Sequence, residues 1–247
     1  MHNYKIVIAY DGTKYDGFQR QSDHPEKTIQ GKLEKVLSLL FKHDIQIIGS
    51  GRTDSGVHAK GQVCNFHSPC LLPCDEILLY LAQYFPQDIA VLTLSMASPR
   101  FHARYNVLKK RYCYTIDNQL FANPFMTKYA YHVSSPLDVA KMRQAASFLI
   151  GTHDFKSFTS LKSKKKSTIR KIITIEIIQN DNLIKIFFEA DGFLQHMVRI
   201  ITGTLLDVGL GIKDPNDVMP ILEQGQRALA GPTVPPYGLC MEKVYYD

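Results

Sequence analysis

The segment at positions 51–59, GRTDSGVHA, contains the residues with the clearest capacity for chemistry. Asp54 follows Arg52 by two residues and is flanked by Gly51 and Gly56. A guanidinium close by favours the ionised form of a carboxyl group, and glycines allow a tight turn and the close approach of a ligand. The pattern fits a carboxylate that must stay charged against a substrate. It fits equally well a hairpin-like turn in which Asp54 hydrogen-bonds its own backbone, so the segment alone leaves both interpretations open.

A strand is the element that would position Asp54. Residues 45–50, IQIIGS, are rich in isoleucine and predict a strand over 45–48. Asp54 would then lie on the loop at the end of this strand. Loops held by a rigid scaffold are where catalytic groups concentrate.

A second candidate residue, Arg199, follows Gly192 in a segment with helical periodicity. We expect a helix from Phe193 to about Val208. Its apolar stripe consists of Leu194, Met197, Ile201 and Leu205. Arg199 falls on another face with His196 and Gly203. From spacing alone, a solvent-exposed arginine on a surface helix is the favoured interpretation.

The elements around these residues predict two halves of similar order. In the first, Thr28 is the expected N-cap of a helix with apolar residues at helical spacing. Strands are expected at 4–10, 45–48, 62–67 and 89–94, and a second helix at 75–84. The resulting order, β-α-β-β-α-β, is that of a ferredoxin-like unit.

The second half begins with an expected strand at 111–116. Ser135 and Pro136 predict the N-cap and first residue of a helix that stops at Gly151. Further elements are a hairpin of strands 169–178 and 183–190 turning at 180–182, helices at 193–208 and 214–223, and a strand at 239–245.

Together these patterns predict an α+β fold with two ferredoxin-like halves, residues 1–105 and 106–247. Because no Gly/Ser-rich linker separates the halves, we expect them to share one continuous mixed or antiparallel sheet flanked by helices and to form one catalytic unit.

Composition indicates an ordinary globular protein. The chain has 247 residues, 45% hydrophobic, and no apolar run approaches the length of a membrane span. The start is no signal peptide. Five cysteines without a C-x-x-C pair make a disulfide framework or a zinc site improbable and indicate a reducing cytoplasm. We expect neither a metal nor a membrane partner.

Positive charge is concentrated in the middle of the chain. Residues 100–171 contain fifteen Lys or Arg and three Asp or Glu, although the whole chain has a net charge of only +6. This asymmetry indicates a surface that faces nucleic acid. One cluster, at 100–112, interleaves cations with aromatic residues, which suits phosphate contact and base stacking. The other, at 162–171, is equally well explained as a solvated loop.

Five segments resemble the signature segments of the tRNA pseudouridine synthase A family, in the same order and over nearly the whole chain. They are YDGT with GFQRQ at 10–21, GRTDSGVHA at 51–59, FHAR with KRYCY at 101–114, GFLQHMVR at 192–199 and AGPT at 230–233. The chain is identified as a member of that family, which implies the pseudouridine synthase fold.

The resemblance implies a reaction and the residues that carry it. Uridine within RNA becomes pseudouridine: the C1′–N1 bond breaks, the uracil turns, and a C1′–C5 bond forms without cofactor or metal. Residue by residue, Asp54 matches the nucleophile, Arg199 its ionic partner, and Tyr112 the active-site tyrosine and candidate base. Arg52 matches an arginine that helps to fill the space left by the flipped nucleotide. Whether Asp54 attacks sugar or base, or supports a glycal-type intermediate, stays open.

The resemblance also implies the substrate: uridines 38, 39 and 40 in the anticodon stem-loop of tRNA, bound by a cytoplasmic homodimer with a basic cleft. Expected contacts to RNA are Tyr112, Arg52, His58, Arg104, Lys109, Lys110, Arg111, Lys164 and Lys165. Phe18 departs from the family, since many members have tryptophan there and this chain has none.

Three alternatives remain. The chain could be a non-catalytic RNA-binding protein, or a pseudouridine synthase for another RNA site. A metal-dependent hydrolase could use Asp54 and His58 with His67 or His102. Against the last, Gly56 disfavours a helix between Asp54 and His58, and no second carboxylate cluster is near.

Overall fold

The computed structural model describes residues 1–160 and 167–246, which form two compact units. Unit 1 consists of Met1–Leu108 together with Met241–Asp247, and unit 2 of Lys109–Cys240. The sequence placed the last strand with the second half, whereas most of it belongs to unit 1.

Unit 1 has the β-α-β-β-α-β order expected of a ferredoxin-like half. Its elements are β1 (His2–Tyr10), α1 (Ile29–Phe41), β2 (Ile48–Gly49), β3 (His58–Ser68), α2 (Cys74–Tyr84) and β4 (Ile89–Met96), followed at the end of the chain by β10 (Leu239–Tyr245). The strand order is β4-β1-β3-β10, with β2 paired to β3. Strand β1 is antiparallel to both β3 and β4.

The core of unit 1 follows from alternation in β1 and from the apolar stripe of α1. Tyr4 is fully buried and stacks on Phe66 of β3, with ring centroids 4.9 Å apart. Helix α1 begins where predicted, because the side chain of Thr28 accepts a hydrogen bond from Gly31 N. Strand β2 is shorter than predicted, although Ile45 and Ile47 before it are buried.

Unit 2 also combines helices with a mostly antiparallel sheet. Its elements are β5 (Lys109–Asp117), β6 (Tyr131–His132), α3 (Val139–Ser147), β7 (Gly151–Asp154), β8 (Ile169–Asn180), β9 (Leu183–Ala190), α4 (Met197–Gly209) and α5 (Val218–Gln224). The strand order is β5-β9-β8-β7, and β6 adds a parallel pair to β5. The α+β class and the β8–β9 hairpin are therefore confirmed.

Three helices begin later than predicted, and the third of them, α5, starts at Val218 after a single 3-10 turn at Pro215–Asp217. Helix α3 is capped by Asp138, whose side chain accepts from Lys141 N at 3.0 Å, and Ser135-Pro136 lies outside it. The predicted N-cap at Ser135 is therefore wrong; Asp and Ser are about equally favoured at this position, so the local preference did not distinguish the two residues. Helix α4 begins at Met197, because its N-cap His196 has a left-handed backbone with φ of 61°.

The predicted basic loop at 162–166, with Lys164 and Lys165, lies outside the described residues. Of the helices that are described, none combines the length and apolar character needed to cross a membrane.

Candidate active site

Asp54 lies in unit 1 on the loop between β2 and β3, as the sequence predicted. Its side chain is half-buried, whereas that of Arg52 is exposed. The loop turns tightly after Asp54, because Val57 N donates to Asp54 O at 3.2 Å and Gly56 has a φ of 76°. Asp54 is therefore the first residue of a backbone turn that lies within the predicted motif.

A distant segment, residues 15–18, holds this loop from outside. Phe18 N donates to Thr53 O at 3.1 Å, and Gly56 N donates to Tyr15 O at 3.2 Å. Gly17 has a φ of 97°, and a Cβ atom there would lie 2.6 Å from Thr53 O. Only glycine fits such a backbone without strain. The two motifs thus meet through backbone contacts on both sides of Asp54.

His58, predicted to contact RNA, is buried inside unit 1, with 6% of its surface exposed. Its Nδ1 accepts a hydrogen bond from Gly12 N at 3.0 Å and lies 3.1 Å from a carboxylate oxygen of Asp11. A Cβ at Gly12 would lie 2.0 Å from Val57 O. The imidazole therefore fixes the end of the loop against the 10–13 motif, and its contact with RNA stays a prediction.

Buried polar side chains that sequence reasoning missed support the same loop. Tyr10 and Thr53 share a hydrogen bond of 2.9 Å between their hydroxyl groups. Gln62 Nε2 donates to Gly51 O at 2.8 Å, and Gln62 is fully buried. Gln62 and Thr53 carried no distinguishing signal in the sequence, because strand β3 itself has several polar residues and their burial depends on the tertiary structure.

Arg52 and Arg104, both predicted RNA contacts, line one open cleft of about 230 Å³ in unit 1. The other lining residues are Phe18, Gln19, Gln30, Ile47, Ile48, Gly49, Gly51, His102 and Tyr105. In the part of the chain that the structure describes, neither guanidinium has a carboxylate within ion-pair distance. Both cations therefore add positive charge to the cleft.

Tyr112 lies in unit 2 on β5, opposite Phe188 of β9. Only 7% of its surface is exposed. Its ring meets that of Phe193 edge-on, with centroids 5.1 Å apart and an interplanar angle of 82°. The Tyr112 ring is therefore buried, and Phe193 packs against its edge.

Arg199 lies in the first turn of α4 and is half-buried. Its Nε donates to Val234 O at 2.8 Å, so the plane of the guanidinium is fixed. The segment before Val234 docks on the helix: Gly231 N donates to Thr204 Oγ1 at 2.8 Å, and a Cβ at Gly203 would lie 1.9 Å from Pro232 O. The AGPT turn therefore packs on the helix that carries Arg199.

The turn before α4 is held by residues 159 and 160. Thr159 Oγ1 donates to Gln195 O at 3.0 Å, and Ser160 Oγ lies 2.7 Å from His196 Nδ1. These contacts hold His196 in its left-handed conformation, which explains why the helix begins after it.

Lys109 and Arg111, two other predicted RNA contacts, form ion pairs with Glu189 at 2.7 and 3.2 Å. The hydrogen bond from Lys109 is the main cause that lowers the pKa of the Glu189 carboxyl group. The Arg111 guanidinium also lies over the Phe187 ring, 4.5 Å from its centroid. The positive charge of this cluster is therefore smaller than the sequence count indicated. Lys110, on the opposite face of β5, shares the face of Tyr112.

Within residues 1–160 and 167–246, no group of three or more His, Cys, Asp or Glu side chains is arranged to hold a metal ion.

Comparisons with known proteins agree with the motifs. A family model described as tRNA pseudouridine synthase matches residues 6–106 and 145–247. The tRNA pseudouridine synthase A 1 of Clostridium tetani is 49% identical over 246 residues, covering 100% of both chains. The tRNA pseudouridine synthase A 2 of Bacillus cereus is 44% identical with the same coverage. The tRNA pseudouridine synthase A of Bacillus sp. (strain KSM-64) is 46% identical over 94% of each chain.

Among solved structures, one from a Cbf5-Nop10-Gar1 complex aligns with 82% of this chain and 45% of its own. At 13% identity and a TM-score of 0.35, that likeness carries no conclusion.

Proposed function

Because the chain belongs to the tRNA pseudouridine synthase family, we propose that it isomerises uridine to pseudouridine within tRNA. The observation that carries this proposal is the family's aspartate segment itself, held here in a tight turn by the 15–18 segment. A binding surface alone has no need of a half-buried carboxylate fixed in this way.

The proposed substrates are uridines 38, 39 and 40 of the anticodon stem-loop. The resemblance to the tRNA pseudouridine synthase A family supports this choice, as does the excess of cations in residues 100–171. The resemblance to this family also supports a homodimer located in the cytoplasm, which is part of the proposal. The runner-up is a pseudouridine synthase with another RNA target.

Asp54 is proposed to be the nucleophile. Any bond that its carboxylate forms to the target nucleotide breaks again before the product leaves, so the carboxylate is regenerated, while the C1′–N1 bond breaks and the uracil turns so that C5 faces C1′. The new C1′–C5 bond forms, and the proton leaves C5 while N1 gains one. Atoms and electrons balance, since product and substrate are isomers.

Two residues of unit 2 complete the proposed catalytic set. Arg199 would keep Asp54 ionised, because a cation nearby favours the charged form of a carboxyl group. Its fixed guanidinium plane supports that role. Tyr112 would accept the C5 proton, directly or through water, and its buried, doubly packed ring supports a fixed position. Arg52 would stabilise the flipped nucleotide.

Release of tritium from tRNA labelled at uracil C5 tests the proposal. Pseudouridine formation exchanges that hydrogen with solvent. Apart from the loss of the isotope, the mass of the RNA does not change, because the product is an isomer of the substrate. We expect release in proportion to the uridines converted, and mapping of the product should place it at positions 38–40. Binding of tRNA without any release would instead support the non-catalytic RNA-binding alternative, and release mapped to other positions would support the runner-up.

A further inference from the structure

The cleft that Arg52 and Arg104 line in unit 1 contains an aromatic platform. Tyr105 stacks on His102 with ring centroids 4.1 Å apart and an interplanar angle of 26°. Tyr105 is nevertheless 79% exposed, so the other face of its ring is open to solvent. A large aromatic face left in water beside two cations is a surface that suits a nucleobase.

The platform is rigid before any ligand binds. His102 Nδ1 accepts hydrogen bonds from Arg104 N at 3.1 Å and Tyr105 N at 3.3 Å. The same nitrogen accepts both bonds, so the ring proton of a neutral His102 resides on Nε2. Asn106 Oδ1 accepts from His102 N at 2.7 Å. The four residues therefore form one closed turn that presents the tyrosine.

Two buried asparagines attach this turn to the sheet of unit 1. Asn65 Oδ1 accepts from Ala103 N at 2.8 Å, and Asn3 Nδ2 donates to Phe101 O at 2.9 Å. Asn65 and Asn3 are themselves joined by a 3.0 Å hydrogen bond. Ordering costs on binding are small when the binding groups are already fixed.

The charge of the cleft favours an anion. Among the residues that the structure describes, none of those lining it is an aspartate or a glutamate. The nearby carboxylate of Glu34 is buried, and it accepts hydrogen bonds from Arg20, Gln30 and the backbone of Ile47. The Arg20 guanidinium thus balances the negative charge of Glu34, which therefore does not offset the charges of Arg52 and Arg104.

We infer that this cleft holds one unpaired nucleotide of the RNA substrate, a neighbour of the uridine that reacts. Its base stacks on Tyr105, and its phosphates contact Arg52 and Arg104. The inference rests on the proposed function in so far as RNA is the ligand. Asp54 does not line the cleft, so the occupant is not the reacting uridine, but Arg52 is only two residues from it.

The cleft is small and open, which fits one base lying on the Tyr105 ring rather than a stack of several bases. At about 230 Å³ it is smaller than the roughly 300–1,000 Å³ of pockets for drug-sized ligands. A base in a duplex is stacked on both sides and cannot reach Tyr105. The inferred site therefore distinguishes looped RNA from paired RNA.

The test compares two RNAs on the same variants: an anticodon stem-loop and a blunt duplex of equal length. Tyr105→Ala should weaken binding of the stem-loop by roughly tenfold, since the variant loses the stacking of one base on an aromatic ring, and should leave duplex binding unchanged. Tyr105→Phe should bind both RNAs like the parent. Tyr84→Ala is the matched control, because Tyr84 is 53% exposed and packs on Tyr80 outside the cleft.

A second readout identifies the contact directly. Stem-loops that contain 5-iodouridine at one loop position at a time are bound to the unaltered protein and irradiated. We expect a cross-link to Tyr105 from one unpaired position beside the target. A cross-link from the paired stem alone, or equal losses for both RNAs in Tyr105→Ala, would overturn the inference.

Tritium release separates this inference from the proposed function. Release by the parent together with unchanged stem-loop affinity in Tyr105→Ala would overturn the cleft assignment and leave catalysis standing. Selective loss of stem-loop binding in Tyr105→Ala without tritium release by the parent would support the cleft and overturn catalysis.

Discussion

The loop that carries Asp54 and the helix turn that carries Arg199 are both held by a segment distant in sequence, but by different means. At Asp54 the 15–18 segment binds backbone to backbone on both sides, through Phe18 N and Tyr15 O, and leaves the side chain half-buried. At Arg199 the distant residue, Val234, accepts a hydrogen bond from the guanidinium itself.

The difference separates two kinds of positioning. The Asp54 carboxylate depends on the shape of its loop, so changes that shift the loop backbone should move it. The Arg199 side chain depends on its own hydrogen bond and on a helix, which is rigid already. The variants below, taken from the largest expected effect to the smallest, break or sharpen this contrast.

Asp54→Asn should lower tritium release by more than about 1,000-fold, because an amide cannot act as a nucleophile. Binding of tRNA should stay within about threefold, since the amide keeps the shape of the side chain. Asp23→Asn, an exposed residue of unit 1, is the control and should behave like the parent. Activity of Asp54→Asn within tenfold of the parent would remove Asp54 from its assigned role.

Arg199→Ala should lower the single-turnover rate on the order of 100-fold near neutral pH, the scale of losing one member of a desolvated charge pair. Without the cation, protonation competes with catalysis, so the acidic limb of the pH–rate profile should move to higher pH. Activity should recover in part as the pH rises.

Arg52→Ala is the comparison for Arg199→Ala. It should reduce the rate at every pH without shifting the profile, because Arg52 is assigned to the flipped nucleotide. Arg199→Lys should restore charge but not the planar fork that a carboxylate prefers. An Arg199→Ala profile that is scaled down without a shift contradicts the ionic role.

Gly17→Ala should disturb the Asp54 loop itself. The substitution adds a Cβ 2.6 Å from Thr53 O at a φ of 97°, and strain plus overpacking should cost about 3 kcal/mol of unfolding free energy. Because the clash is with the residue before Asp54, kcat should also fall in the protein that remains folded.

Gly211→Ala is the matched control for Gly17→Ala. Both glycines have a positive φ, but a Cβ atom added at Gly211 would not clash with a neighbouring atom. Its φ is 73°, and a Cβ there meets nothing within 4 Å, so the cost should be only about 1–2 kcal/mol. Thermal unfolding and kcat of both variants give the comparison. Equal kcat losses in both would show that strain, rather than displacement of the loop, is responsible.

Glu189→Gln should have the smallest effect of these variants, and it should increase the affinity for tRNA rather than lower a rate. It removes the carboxylate that Lys109 and Arg111 share, so tRNA should bind a few-fold more tightly, and the slope of log affinity against log salt should steepen by about 1–2, at roughly 0.9 per phosphate contact. Glu176→Gln is the comparison, since it removes only the longer, exposed contact of 3.7 Å to Arg111 and leaves both pairs with Glu189 in place, so its effect on the slope should be smaller. An unchanged slope would mean that neither cation reaches phosphate.

The same variant has a pH signature in unfolding. The pKa of Glu189 is lowered in the folded protein, so its ion pairs stabilise the fold above the ordinary pKa of glutamate. That stability is lost as the pH falls through the lowered value. Glu189→Gln should therefore be less stable than the parent at neutral pH and should lose less stability on acidification.

Local patterns in the sequence were sufficient for much of the fold. Alternation predicted β1, and the 180–182 turn predicted the β8–β9 hairpin, because both depend on neighbours in the chain. The loop position of Asp54 followed from the strand before it. Features that depend on contacts between residues far apart in the sequence could not be predicted from such patterns.

Three differences show why. The start of α4 depends on Thr159 and Ser160, which hold His196 left-handed from 36 residues away. The burial of His58 depends on its packing against Gly12. The pairing of Arg111 with Glu189 spans 78 residues, so a count of cations overstated the charge of that cluster.

The Glu189 ion pairs have a further consequence, which concerns strand register. In β5 and β9, Arg111 lies opposite Glu189 and Tyr112 opposite Phe188. A slip of one residue would reverse the faces and carry Tyr112 to the side that holds Lys109 and Arg111. The alignment that pairs the charges is therefore the alignment that buries the phenol. An acidic residue with no assigned part in the reaction thus specifies which side of the sheet the proposed base occupies.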